Sequence, residues 1–305
     1  MSLPPPDIIL GGLVRGSIYG LVALGYTMVY GILGMINFAH GEIFMIGMFT
    51  CVFALGLLST LLGTTTLINL LLATLVAMIF SAAFGYANER IAYRRLRKAH
   101  ILAPLTSAIG LSIILQNFVF LTVSKDNISF PRVYSDQLNK VAFTLGGVHF
   151  NYLQFTILGT SLVLMAALFF FIHRTRLGIA MRGTAQDQLM ASLVGIPVNK
   201  IIALTFVLGS SLAAVAGVMV SMYQSVAGWN SGYIWGLKAF TAAVLGGIGN
   251  IPGAVLGGLI IGLTEDITCY YFGSNWRNSV VFLILMIVLI IRPRGLLGER
   301  VADKV

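Results

Sequence analysis

A chain of 305 residues that is 58% hydrophobic and only 10% charged, with a mean hydropathy of +0.93, departs far from soluble domains, in which about a quarter of residues are charged. That composition excludes an ordinary soluble enzyme or binding module and leaves a membrane protein. The net charge of +9 does not require nucleic acid, because basic residues flanking membrane spans have a topological explanation; two cysteines without CxxC spacing, Cys51 and Cys269, argue for buried thiols over a disulfide frame or metal site.

The first predicted span covers 8–33. It follows MSLPPPD, which lacks the positive n-region of a cleaved signal peptide, so the span is expected to remain in the mature protein. Gly12, Gly16 and Gly20 repeat at four within it, as Gly249, Gly253 and Gly257 do later. Such spacing places small residues on one face and lets another backbone approach closely, and packing inside this one chain explains it better than a dimer seam.

Between this span and the next, at 42–62, lies GMINFAHGE, with Asn37, His40, Gly41 and Glu42 in apolar surroundings. Ionisable groups within spans are costly and often functional, so a proton relay is one reading and a place beside a substrate path is another. The third has these groups capping two helix segments and tying them to neighbouring spans, with Asn37 and Glu42 satisfying backbone groups. On an unbroken helix the three polar residues do not share a face, and a break at Gly34 or Gly41 changes that. One His and one Glu are too few ligands for a metal.

Further spans are predicted at 66–89, 103–123, 152–172, 201–224 and 278–291, each near the length needed to cross about 30 Å of hydrocarbon. In the fourth, Gln116 and Asn117 are expected to hydrogen-bond between helices. No stretch is long enough for a separate soluble domain, so residues 1–305 read as a single transmembrane domain. Lysine and arginine concentrate in three segments: Arg90, Arg94, Arg95, Arg97 and Lys98; Arg174, Arg176, Arg182 and Lys200; Arg292, Arg294, Arg300 and Lys304. These mark the cytoplasmic side, whereas 125–151 mixes both signs and reads as external. The N-terminus is then outside and the C-terminus cytoplasmic.

The cytoplasmic loop 173–200 is too polar to cross and too patterned to be slack. Thr184 with Asp187 three residues later makes a capping-box-like start, and Gly195 then Pro197 a stop, predicting a helix near 185–194 with Leu189, Met190, Leu193 and Val194 as an apolar stripe. It docks either on the membrane surface or in a groove of a partner that drives conformational change. The chain has no GxxxxGK[ST] phosphate loop, so the energy source lies elsewhere.

Because 201–224 leaves the cytoplasm and the last span returns to it, everything in 225–277 must begin and end outside. The apolar stretch 238–265 within it is too long for a turn and has the wrong parity for one crossing. Two half-spans meeting at a break over Gly246, Gly247, Gly249, Asn250 and Pro252 satisfy both constraints, and irregular backbone at membrane depth is tolerated only where protein or a water-filled cavity covers it. Lys238 and Glu265 bracket this hairpin as interfacial snorkellers. Tyr223, Trp229, Tyr233 and Trp235 gather at its external end, as interfacial aromatics do.

Four stretches together are similar to one family: GYTMVYGILGMINFAHGE at 25–42, ERIAYRRLR at 89–97, RLGIAMRGTAQDQLMASLVGIPVNKIIALTFVLG at 176–209 and KAFTAAVLGGIGNIPGA at 238–254. In that order they resemble the LivH-type permease subunits of bacterial ABC importers for branched-chain amino acids. The resemblance implies an all-α polytopic fold of about eight transmembrane segments with broken or re-entrant half-helices, of the branched-chain amino acid/ribose permease type, in the bacterial inner membrane. It implies a non-catalytic subunit with no cofactor of its own, paired with a homologous second permease, two cytoplasmic ATPases that bind ATP-Mg, and an extracytoplasmic binding protein. The 185–194 helix then corresponds to the coupling helix. Thr184, Ala185, Gln186, Ile196 and Pro197 are assigned with it to ATPase coupling, with Asp187 as polar anchor, Ala191 as the close-packing position and Gly195 as the stop. The literal EAA pattern of many importers is missing. A permease for urea or short-chain amides and a stand-alone secondary transporter using His40 and Glu42 are the competing readings.

Overall fold

The computed structural model describes residues 4–97, 99–100, 102–145 and 148–298; Lys98, Arg300 and Lys304, three of the basic residues that mark orientation, lie outside the described residues. Among the described residues eight helical stretches are long and apolar enough to cross a membrane. They are Pro6–Leu33 (α1), His40–Leu62 (α2), Leu67–Asn88 (α3) continuing through a π turn at Glu89–Tyr93 into Arg94–Leu96 (α4), Leu102–Thr122 (α5), Tyr152–Arg174 (α7), Val198–Gln224 (α10), Ile251–Phe272 (α12) and Arg277–Ile291 (α13), the last preceded by a 3₁₀ turn. Shorter elements join them: Arg132–Leu138 (α6), Arg176–Gln186 (α8), Gln188–Leu193 (α9) and Ser231–Gly246 (α11). Of the strands, Ile128–Ser129 (β1) pairs antiparallel with Val226–Ala227 (β4), and Val141–Leu145 (β2) with Val148–Asn151 (β3).

Helices α1 and α10 are buried along most of their length and form the centre, while α5 and α13 expose apolar rows such as Ile109, Ile113, Leu283 and Ile290, as lipid-facing helices do. What lets α1 sit at the centre is glycine. Gly12, Gly16 and Gly20 face Gly258, Gly262 and the backbone of Leu259 and Leu263 in α12, so closely that a Cβ on Gly16 would lie 2.8 Å from the Leu259 Cα. The two backbones therefore touch without intervening side chains, the arrangement by which helices gain packing in lipid. Gly253 and Gly257 do the same against Gly246 and Ala242 of α11, but Gly249, the third member of the expected repeat, belongs to the break and has nothing within 4 Å of an added Cβ.

The bundle has two distinct ends. At one, Arg97 Nη1 donates to Asn199 Oδ1 (2.8 Å), and the backbone N–H groups of Leu296 and Leu297 donate to the carbonyls of Leu245 and Gly246 (2.8 and 2.9 Å). Arg182 lies with Gly249 and Ile251 beside that same end of α11, so the described parts of the three basic stretches share this end of the bundle. At the other end Gln224, Ser231 and Arg277 line one cavity, so the interval 225–277 begins and ends on the same side, as parity requires.

The hairpin within that interval is not two equal half-spans. α11 has 16 residues, about 24 Å at 1.5 Å per residue, and α12 has 22, about 33 Å, so only α11 is a half-helix. Its tip, with Gly247 (φ 105°) and Gly249 (φ 99°), reaches the basic end, where the Leu296 and Leu297 donors satisfy carbonyls that the end of α11 leaves open.

The cytoplasmic-loop expectation also needs correction. α8 runs through Thr184, Ala185 and Gln186, and a separate six-residue helix, α9, starts only after Asp187. Asp187 is extended (φ −154°, ψ 111°) and caps α9 itself: Oδ1 accepts from Leu189 N (2.8 Å) and Met190 N (3.0 Å). Thr184 is no cap; it is buried in α8, its hydroxyl donating to Ala180 O (2.7 Å). A carboxylate in the extended geometry outcompetes a hydroxyl that the preceding helix already uses.

Candidate functional site

Three places hold the residues that chemistry can use. The first is the turn between α1 and α2. Gly34 (φ 66°) ends α1, and its N–H reaches Tyr30 O at 2.7 Å. Asn37 follows, fully enclosed, with Oδ1 accepting from the Tyr93 hydroxyl (3.1 Å) and Asn88 Nδ2 (3.4 Å). His40 is equally buried; its ring meets Tyr26 edge-on at 4.8 Å and fills the notch left by Gly25. Glu42 Oε1 accepts from Ser112 Oγ (3.1 Å), and Gly41 lets α2 press on Gly232 and Gly236 of α11. Asn37 Nδ2, His40 Nε2 and Glu42 Oε2 are buried and carry no hydrogen bond among the described residues.

The capping role expected for Asn37 and Glu42 is therefore wrong in one half. The α2 N-cap is Ala39, without a side-chain bond, and both polar residues reach side chains of other spans instead. Asn37 ties the turn before α2 to α3 and its π turn, and Glu42 ties α2 to α5. Gly34 makes the break, while Gly41 lies inside α2.

The second place lies at the opposite end from the basic stretches. Glu265 of α12 is fully buried; its Oε1 accepts from Lys238 Nζ (3.0 Å) and Arg15 Nη1 (3.1 Å) and its Oε2 from the Tyr19 hydroxyl (2.7 Å), while Arg277 forms an ion pair with Oε1 (3.3 Å) and donates its Nε–H to Cys269 Sγ (3.0 Å). Asp266 pairs with Arg15 Nε at 3.4 Å. Sequence reasoning saw Lys238 and Glu265 as separate snorkelling residues and missed Arg15, Tyr19, Asp266 and Arg277. The available signal was that Arg15 and Asp266 are charged within apolar spans and so need partners. Nearby, Trp235 packs on Tyr19 (5.0 Å) and is buried, unlike the exposed Tyr233, so the expected aromatic belt divides into a core member and a surface member.

The third place is the basic end. The π turn carries Glu89, buried and bound by Arg94 (Nη2, 2.7 Å) and by Arg97. The break at α11–α12 meets α8 here: Ala185 and Arg182 share a small cavity with Gly249 and Ile251. Asn250 caps α12, its Oδ1 accepting from Gly253 N (2.8 Å), and Pro252 occupies the first turn, where a missing N–H costs nothing. α9 hangs from this end by Gln188 Nε2, which donates to Ile32 O (2.9 Å), and by buried Ala191. Gly195 (φ 86°) turns the chain, Ile196 N donates to Ala191 O (3.0 Å), and Pro197 leads into α10. Leu189, Met190, Leu193 and Val194 are between 57% and 76% exposed. Of the polar pair in α5, Gln116 reaches Asn230 (3.2 Å) as expected, but Asn117 bonds within its own helix to Ile113 O (2.8 Å).

Comparison with known proteins agrees along the chain. Residues 8–291 match the family described as branched-chain amino acid transport system / permease component. The chain is 46% identical to the high-affinity branched-chain amino acid transport system permease protein BraD of Pseudomonas aeruginosa, covering 97% of each chain, and 42% identical to the corresponding protein LivH of Escherichia coli, covering 96% of each. A probable branched-chain amino acid transport permease protein of Methanocaldococcus jannaschii is 26% identical over 95% of this chain and 92% of its own. On the extent of that match and the polytopic helical fold, the chain belongs to the branched-chain amino acid transport system permease family.

Proposed function

We propose that the chain is one of two homologous permease subunits of an ATP-driven importer, carrying leucine, isoleucine and valine inward from an extracytoplasmic binding protein. It lies in the inner membrane with the N-terminus outside and α8–α9 in the cytoplasm. It binds no cofactor itself; ATP-Mg sits on two cytoplasmic ATPases. The observation that carries the reading is α9: three large apolar side chains exposed on a helix capped by Asp187, with a fourth, Val194, at its C-terminal cap, the whole anchored through Gln188 and Ala191. Such a face stabilises a mechanical contact when a partner's groove covers it. Its anchor runs directly to the end of α1 and, through α8, to the tip of the α11–α12 break, so a push on α9 reaches the helices around the path. In this reading Thr184, Ala185 and Gln186 carry the push as the end of α8, and Asn37, His40, Glu42 and the 246–252 break adjust beside the path.

The test is cross-linking. A cysteine at Leu193, co-expressed with the ATPase subunit, is expected to form a cross-link whose yield changes with ATP. A Leu193 cysteine that labels freely from water and never cross-links counts against coupling through α9.

A further inference from the structure

The Glu265 cluster has more donors and more positive charge than its own acceptors use. Arg15, Lys238 and Arg277 stand against Glu265 and Asp266, three cations to two carboxylates. Both Glu265 oxygens are already occupied, Oε1 by Arg15 and Lys238 and Oε2 by Tyr19, while Arg277 stands against Oε1 as an ion pair with its Nε–H donated to Cys269 Sγ. Lys238, with three N–H donors, makes one hydrogen bond among the described residues, and the buried Arg15 Nε makes none. All three cations line one cavity of about 230 Å³. An unbalanced positive charge inside a membrane bundle is costly unless an anion completes it, and planar guanidinium donors match a carboxylate.

Other walls of the cavity suit the rest of an amino acid. Trp235 and Ile234 offer apolar surface, while Gln224, Ser231 and Asn278 offer neutral polar groups. Lys238 and Glu265 are each seven residues inside the ends of α11 and α12, about 10 Å of helix. The site is thus recessed, at the end away from α8 and α9.

We infer that this cavity receives the substrate's α-carboxylate on the outer side, Arg277 and Lys238 supplying the free donors. The inference rests on the importer reading above and adds the recognition point. It would discriminate amino acids from amines or amides of the same side chain and be indifferent among leucine, isoleucine and valine.

The experiment uses the complete transporter in phosphatidylcholine nanodiscs, with Asn278→Cys labelled by a charged methanethiosulfonate and the parent complex as background. Millimolar leucine is expected to slow labelling at least threefold, and leucinamide, which lacks the carboxylate, to leave it unchanged. Arg277→Gln should abolish the protection, and Arg277→Lys should restore part of it. Equal protection by leucine and leucinamide, or none by either, overturns the inference. Protection by phosphatidylglycerol in place of leucine reassigns the cavity to a lipid headgroup and overturns it too. If leucine gives no protection while ATP-driven leucine uptake persists, the carboxylate site fails and the importer reading stands. If uptake itself is missing, the importer reading fails.

Discussion

Two polar regions interrupt the apolar spans of this permease, and they are built on opposite plans. Around Glu265, five charged groups from four helices share one carboxylate oxygen and a salt-bridge chain, beside a cavity. At the turn 34–42 the polar groups make single bonds to Tyr93, Asn88 and Ser112 and are packed against glycines, with His40 seated in the Gly25 notch. The first plan concentrates charge where something else can reach it. The second holds irregular backbone in place between three spans, with Asn37 Nδ2, His40 Nε2 and Glu42 Oε2 unbonded among the described residues. One region presents charge to a cavity, and the other fixes a break in the bundle by side-chain bonds across it.

The largest expected effect comes from removing the centre of the charged region. Glu265→Gln leaves three cations around a neutral amide, and breaking a buried ion network in this way costs about 3–5 kcal/mol. Folded protein on size-exclusion chromatography in detergent should fall sharply. Near-normal yield would show that Asp266 alone balances the cations, and the contrast with the turn would weaken.

Gly25→Ala should come next, because a Cβ there overlaps the His40 ring, and overpacking of this kind costs about 1–3 kcal/mol. Its melting temperature should recover in the double variant with His40→Ala. Additive losses would mean that the ring is free to move aside and does not plug the notch.

Asn37→Ala removes the acceptor for Tyr93 and Asn88 and should lower stability by about 1 kcal/mol per bond lost, with a parallel fall in transport rate if the turn moves during transport. A stability loss without a rate change would confine the turn to structure.

The smallest change in stability is expected for Asp187→Ala, about 1 kcal/mol of local helix. It serves as the control outside both regions. It should reduce stimulation of the ATPase by loaded binding protein while leaving leucine protection at the outer cavity intact. Loss of that protection would show that the cytoplasmic contact and the cavity are not separable.

How much of this was legible beforehand follows from what each kind of signal records. Span positions and their common ends were readable because hydrocarbon thickness fixes segment length and basic residues mark one side; α1, α10 and α13 start and stop within three residues of their predicted limits. The break near 246–252 was readable from parity and from glycine and proline at helix ends. Partners across the bundle were not readable. Nothing local in the sequence says that Arg15 and Glu265, 250 residues apart, share a hydrogen bond. The start of α9 was misplaced because Thr184, with Asp187 three residues later, reads as a capping-box start; burial of Thr184 in the preceding helix leaves Asp187 as the cap, and burial is a tertiary fact. The role given to Gly249 erred for a similar reason, since a repeat at four reads as one face only while the helix continues, and here it stops.

The central claim is that this chain moves branched-chain amino acids only when partner ATPases drive it. The direct measurement is leucine uptake into proteoliposomes containing either the chain alone or the complete transporter, with ATP and a proton gradient supplied separately. Accumulation by the complete transporter that requires both ATP and binding protein, with no uptake by the chain alone under either driving force, is the predicted result. Leucine uptake by the chain alone under a proton gradient, abolished by Glu42→Gln, would contradict it and establish a secondary transporter built around the turn at 34–42.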